Sequence, residues 1–460
     1  MKKSVCRTLA FFLVIALAFS LIGCGAAKQE SASSTAKAGS TVAPAESTAG
    51  TEASTKQDEQ KPVKFRIYAQ YSSDDEKIPY DYAAAYLKAQ MPNVELELDM
   101  AAEDDGQKIR TYAATGNMPD IVLLTYNQIN DFKASNKIVM LDKYAEEFKL
   151  KEKLNPGCEN VLVCPDGHVW CFPYMGNEFG LFYYNKKIFA DNGLTPPKTY
   201  DEMLNVVKTL KSKNIIPLSI FAKQKWINIV LYDMFITRMD SRGIKALENG
   251  EKKASDPDYL KATQKMVELI QAGLLPKGVT NLNYDQAAAL FYEGKAAMFI
   301  NGDWEIQNAT AKLGENLDFM YFPAVDEATY EKAKYNISGG GMPTGFGIGA
   351  NCQDINQAAK AAAIFAQGWS EGKYIKRGNP FVAYKTDKKT EATMPAALDK
   401  VTKELIPNIS GISMFPFGIS HPKFNLGLED NCQAVLLGDM KAEDFAKAID
   451  KAIEDAGIGK

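Results

Sequence analysis

From Val63 onward the chain alternates between two periodicities. Val63 to Ala69 places Phe65, Ile67 and Ala69 on one side and reads as a strand. A helical run follows from about Glu76 to Met91 and is stopped by Pro92 and Asn93. Val94 to Met100 alternates strictly between apolar and polar residues, the pattern of a strand with one buried face. A helix from about Asp104 to Thr115 leads through Gly116 and Pro119 into a buried strand ending at Leu124. Strands separated by helices of this length predict βαβ units and a parallel sheet.

The same alternation continues downstream. Pro196 and Pro197 force an extended lead-in to a helix that runs to about Lys213, with Thr199 as its cap and Glu202 completing a capping box. Ile216 to Phe221 reads as a strand. Ala296 to Ile300 is an apolar run long enough for one buried strand, ended by Asn301 and Gly302. Asp303 then stands where a helix N-cap belongs, ahead of a polar-faced run to about Leu313. Trp304 is therefore expected in the first turn of a helix, just beyond the carboxyl end of a strand. In open α/β sheets ligands bind there.

Before Val63 the chain has a different character. Lys2, Lys3 and Arg7 precede an apolar stretch from Leu9 to Leu21, the layout of a secretion signal and too short for a membrane span. Leu21-Ile22-Gly23-Cys24 resembles a bacterial lipobox, which implies cleavage after residue 23 and lipidation of Cys24. Residues 24–62 are rich in Ala, Ser, Thr, Glu, Lys and Gln. They cannot bury enough surface to offset their ordering entropy, so they are expected to tether a folded body to the anchor. The protein is thus expected at the extracellular face of a bacterial cell membrane, held by a lipid and not by a spanning helix.

The chain has 53 Lys and Arg against 57 Asp and Glu, and loss of Lys2, Lys3 and Arg7 leaves 50 against 57. That balance argues against a nucleic-acid partner, which demands clustered basic residues. About 400 residues remain for the folded part, enough for two domains. After Cys24 come Cys158, Cys164, Cys171, Cys352 and Cys432. The spacings of Cys158, Cys164, His168 and Cys171 match no C-x2-C zinc pattern, so no metal is expected. Whether two of those three cysteines pair is left undecided by the sequence.

Four pieces in order carry a family resemblance: Gly116 to Leu124; Asp166 to Phe189 with its Pro173-Tyr174 turn and Tyr184-Asn185-Lys186; Gly193 to Glu202; and Gly294 to Glu305. Together they resemble a family 1 extracellular solute-binding protein, of the sugar-binding lipoprotein type that serves ABC transporters and is similar to maltose-binding protein. The resemblance runs from about Val63 to the C-terminus, where Gln433 to Met440 and a helix from Ala442 to Ala456 resemble the family's ending. It implies an α/β, two-lobe, periplasmic-binding-protein-like (type II) fold in which the chain crosses between lobes three times. Those crossings are expected near residues 174–178, 337–342 and 372–381. The first lobe would hold residues 63–175 and 340–375, the second residues 176–339 and 376–460.

A sugar offers flat C–H faces and hydroxyl edges, so its site needs aromatic platforms with carboxylates and amides beside them. The resemblance implies ligand contacts at Trp304 and Asp303, and at Asn177 and Glu178. Placement at strand ends or crossings adds Tyr126, Asn127, Trp226, Ser72 and Asp74, and the backbone of Gly339, Gly340 and Gly341. Trp170 and Trp369 are assigned to the core. Gly345 to Gly349 has the spacing G-x-G-x-G, which is not a nucleotide fingerprint, and no Walker lysine, G-x-S-x-G or H-E-x-x-H pattern occurs. No cofactor is implied. The expected partners are a carbohydrate ligand, with an oligosaccharide first among candidates, and the separate permease subunits of an ABC importer, the binding protein itself being a monomer. A non-sugar solute such as a peptide or polyamine is the alternative, and a surface-anchored glycan-degrading enzyme a more distant one.

Overall fold

The computed structural model describes residues 61–459; the expected signal, Cys24 and nearly all of the tether lie outside the described residues. The first six strands are β1 (Val63–Ala69), β2 (Val94–Met100), β3 (Ile121–Leu124), β4 (Phe172–Pro173), β5 (Glu178–Asn185) and β6 (Ile216–Ser219). They are followed by β7 (Ala296–Gly302), β8 (Leu317–Met320), β9 (Asn336–Ile337), β10 (Gly339–Gly340), β11 (Gly345–Ile348) and β12 (Gly411–Ile412).

One sheet runs β2-β1-β3-β11-β4 and a second runs β10-β5-β7-β6, with β8 also paired to β5. β1 lies parallel to β2, in register from Val63 opposite Val94 to Ala69 opposite Met100, and parallel to β3. β6 is likewise parallel to β7. The expectation of a parallel sheet fails at β11, antiparallel to β3 and β4, and at β5, antiparallel to β7 and β8. Both strands arrive from the other lobe. A strand that enters in this way needs no crossover helix on its own sheet, so nothing forces it parallel.

Each sheet anchors its own core. The first contains Phe65, Ile67, Val122, Phe346 and Trp369, and ends at Tyr384. The second contains Tyr183, Ile229, Phe299 and Phe445, spans residues 179–337 and resumes at Ala397. This is a two-lobe α/β fold with three interlobe crossings. The third crossing lies further along than residues 372–381. The chain touches the boundary at Phe381, whose carbonyl accepts the Gly176 N–H at 3.0 Å, then returns Ala383 and Tyr384 to the first core before crossing. At the second crossing Gly339 and Gly340 adopt φ of 143° and 107°, values that glycine reaches without steric cost.

Helix starts follow capping chemistry. Thr199 and Glu202 form the expected box, Glu202 N–H donating to Thr199 Oγ1 and Thr199 N–H to Glu202 Oε2, each at 3.2 Å. A second box at Ser73 and Glu76 starts the Asp74–Gln90 helix two residues earlier than the apolar pattern suggested. The long Ile355–Arg377 helix packs along it, with Gly368 and Gly372 against Ala83 and Tyr82. Among the described residues no helix is long and apolar enough to cross a membrane. Cys158, Cys164, Cys171, Cys352 and Cys432 are all buried free thiols.

Candidate functional site

The lobes enclose a cavity of about 260 Å³ between them. Its second-lobe wall is aromatic. The Trp226 ring lies 6.1 Å from Trp304 and 5.0 Å from Phe417, and Trp304 lies 5.7 Å from Phe415. β7 runs to Gly302, followed by a 3₁₀ turn at Asp303–Glu305 and an α-helix from Ile306. In that turn the Trp304 ring folds back over Gly302, where any side chain would collide with it. The opposing wall carries Tyr174 and Trp369, 5.3 Å apart at an interplanar angle of 67°.

The floor is ionic and interlobe. Lys373 Nζ, 3% exposed, sits 3.3 Å from Asp75 Oδ2 and 3.6 Å from Glu178 Oε1. Arg377 Nε adds a contact to Asp75 Oδ1 at 3.6 Å. Burial opposes the Lys373 charge, yet Asp75, Glu178 and Asp303 outweigh it and its pKa is raised. Burial also raises the Glu178 and Asp303 carboxyls, and Lys373 pulls both back. At the mouth, Gln224 Nε2 donates to Glu103 Oε2 at 3.1 Å, joining the lobes.

Of the residues expected from sequence, Trp304, Glu178, Trp226, Ser72 and Gly340 line the cavity. The other seven do not, Gly339 among them, which pairs with Phe179 between β10 and β5. Asp303 neither lines it nor caps its helix; its Oδ1 accepts the Phe179 N–H at 2.7 Å, tying the first crossing to β7. Thr125, not Tyr126, ends the strand as an N-cap, so Thr125 lines the cavity while Tyr126 turns into the first core. Asn127 accepts the Gln128 N–H at 2.8 Å within the same cap. Asp74 is exposed on the first turn of its helix, and its neighbour Asp75 points inward instead. Asn177 and Gly341 are engaged behind the crossing by Asn160, whose Nδ2 reaches Asn177 Oδ1 at 3.2 Å and the Gly341 carbonyl at 2.8 Å.

Several lining residues were missed by the sequence reading: Tyr174, Asp75, Lys373, Tyr284, Phe415 and Phe417. Trp369 is both core and cavity wall. Two aromatics around Pro416 in a stretch without periodicity were a usable signal, because large rings in loops seldom serve a core alone. The capping box at Ser73 would have located Asp75. Lys373 carried no local signal.

A family model for bacterial extracellular solute-binding proteins matches residues 71–368. The chain belongs to that family. It is 25% identical over 276 residues to an uncharacterized ABC transporter extracellular-binding protein of Pyrococcus horikoshii, covering 57% of this chain and 61% of the relative. Over 307 residues it is 24% identical to the multiple sugar-binding protein of Streptococcus mutans, covering 62% of each. The chain thus matches about three-fifths of the length of these relatives. Among solved structures, a chitin oligosaccharide binding protein superposes with a TM-score of 0.73 at 23% identity, over 86% of this chain and 100% of that one. That likeness establishes the shared fold.

Behind the aromatic wall of this solute-binding protein, Glu305 is fully buried. Its Oε2 accepts the Tyr284 hydroxyl and the Asn301 amide, the latter at 3.1 Å, while among the described residues Oε1 has no hydrogen-bond partner. Burial pushes its carboxyl from 4.5 up to about 8, against the Tyr284 hydrogen bond. A raised carboxyl binds its proton more tightly folded than unfolded, so this contribution is full below pH 4.5 and is lost as pH rises toward 8. Glu305→Gln is therefore expected to flatten part of the fall in melting temperature between pH 5 and pH 8. A variant curve parallel to the wild type would contradict the assignment.

Proposed function

We propose that this solute-binding protein captures a carbohydrate between its lobes and, by hinge closure, presents it to the permease of an ABC importer. The observation that carries the reading is the pairing of an aromatic wall with polar and charged side chains across an interlobe cavity. Trp226, Trp304 and Phe417 offer flat faces, and Gln70, Ser72, Glu103 and Thr125 supply amide, hydroxyl and carboxylate groups. That combination suits the C–H faces and hydroxyls of a sugar. A ligand bridging both lobes has contacts only the closed form provides, and that differential affinity shifts the population. The names of the Streptococcus mutans relative and of the superposed chitin oligosaccharide binding protein agree with a sugar ligand. The protein acts as a monomer, without cofactor and without turning the ligand over.

Calorimetric titration against neutral di- and trisaccharides, short peptides and spermidine tests the reading, with chromatography of the recovered ligand. The expected result is stoichiometric binding of a saccharide that is recovered intact. Binding of peptides alone, or release of shorter sugars, would overturn it.

We further propose that the chain is exported and held at the outer face of the cell membrane through a lipid on Cys24. The support is the Leu21-Ile22-Gly23-Cys24 sequence after a short apolar run. Cys24→Ala is expected to leave the protein without acyl label and uncut by the lipoprotein signal peptidase. A Cys24→Ala protein that still incorporated labelled palmitate would rule the anchor out.

A further inference from the structure

A smaller cavity lies inside the second lobe, where β5 and β8 meet the segment before the second crossing. It measures about 30 Å³ and is mostly apolar, with Phe182, Phe322 and Leu405 in its walls beside Arg238, Lys334 and Ser338. Among the described residues no Asp or Glu lines it. Arg238 is 3% exposed and stands just past the end of the Trp226–Ile236 helix. Three of its five N–H groups have acceptors. Nη1 donates to the Phe322 carbonyl at 3.3 Å, and Nη2 donates to the Asn336 carbonyl and, at 3.5 Å, to Thr237 Oγ1. Nε has no hydrogen-bond partner among the described residues, and no carboxylate there forms an ion pair with the guanidinium. Asp233, on the same helix, gives Oδ1 to the Ile244 N–H at 2.8 Å and the Ser413 hydroxyl at 2.9 Å. Lys334 is paired with Glu331 at 2.6 Å. Carbonyls bond a guanidinium but carry no charge to balance it. Burial accordingly lowers the Arg238 pKa to about 10, although Tyr200 and Asp233 oppose the shift. A buried cation without a counter-ion is costly to fold around.

We propose that this cavity holds a small inorganic anion of halide size, bound to Arg238 inside the second lobe. A water-sized body needs roughly 10–15 Å³ of such space, so a monatomic ion fits. A buried water would need two to four polar partners and would bring no charge. An anion needs only donors, which the remaining guanidinium N–H groups supply, and the apolar walls strengthen the attraction. Asn336, Ile337 and Ser338 line the same cavity. The ion's role is therefore structural: it balances a buried charge beside the last residues before the second crossing. This cavity shares no lining residue with the interlobe one, so the site holds whether or not the ligand is a sugar.

The experiment follows thermal unfolding of the wild-type chain in sodium bromide and in sodium gluconate, whose anion is too large to enter, at one constant ionic strength. Above its dissociation constant, bromide is expected to raise the melting temperature by about 3–5 °C per tenfold increase, with no such rise in gluconate. Crystals grown in bromide are expected to show an anomalous-scattering peak beside Arg238. R238M, which removes the cation and keeps an unbranched stem, is expected to lose the difference between the two salts. If R238M does not fold, the wild-type melting series and crystal still decide. Parallel series in the two salts with no peak at Arg238 leave water as the occupant and overturn the anion site. A bromide effect undiminished in R238M, or peaks at surface lysines alone, overturn it as well. A peak at Arg238 with no effect on melting is an adventitious ion only, bound at crystal concentration, and also overturns it.

Discussion

Replacing Trp304 with alanine weakens ligand binding by about 2–4 kcal/mol, the range of an aromatic hot spot. At about 1.4 kcal/mol per decade that is roughly a thirty- to thousandfold loss of affinity. The ring is only partly buried and faces the cavity, held at an angle by Trp226 and Phe415 and seated over Gly302. Because the residue is only partly buried, its removal takes away less packing than that of a core aromatic, whose loss costs about 3–5 kcal/mol of stability. Calorimetric titration and thermal unfolding of the same Trp304→Ala protein separate the two roles. A large drop in melting temperature with near-normal affinity in the folded remainder would make Trp304 a core residue and remove the platform.

Lys373→Met is expected to cost stability of about 3–5 kcal/mol near pH 8, since it leaves buried carboxylates without their cation. The side chain is 3% exposed, with Asp75 at 3.3 Å and Glu178 at 3.6 Å. The pH dependence has a definite sign. Without the cation, Glu178 and Asp303 are raised further than burial already raises them, so folding holds their protons more tightly than the unfolded chain does. Stability of the variant then falls more steeply with rising pH than that of the wild type, and the deficit is larger at pH 8 than at pH 5. Denaturant unfolding at the two pH values reads this directly. A deficit independent of pH would mean that Lys373 contributes packing of its four-carbon stem and little charge. The cluster joins two helices of the first lobe to Glu178 at the first crossing, so the same variant also weakens that tie.

Much of this was legible along the chain. Alternating periods placed β1, β2, β3 and β7, and the capping box at Thr199 placed its helix start within a residue. Two aromatic positions of the cavity, Trp304 and Trp226, could be named because each follows closely on a strand end. Three of the errors, at Asp74, Tyr126 and Asn127, share one cause. In a helix each residue turns the side chain by about 100°, so a start misjudged by one or two positions selects the wrong face. Asp74 was chosen where Asp75 points inward, and Tyr126 and Asn127 were chosen where Thr125 does. Both helices begin at capping boxes, Ser73 with Glu76 and Thr125 with Gln128, which set the phase that the apolar pattern alone left loose.

The sequence by itself determined the order of elements, the two-lobe α/β class, the family, and the placement of Trp304 beyond a strand. These rest on periodicity, caps and short motifs, which act between residues close along the chain. The tertiary structure decided what those elements face. Lys373 lies nearly 300 residues from Asp75 and nearly 200 from Glu178. They meet because Gly368 and Gly372 let two helices of the first lobe approach closely, and because the crossing carries Glu178 under them. Trp369 was rightly read as buried, yet burial along a helix does not say that the covering surface ends at a cavity. Phe415 and Phe417 reach the wall from a segment with no period of its own. Periodicity records that a face is covered; only the packing of distant segments settles what covers it, and where that cover is left open for a ligand.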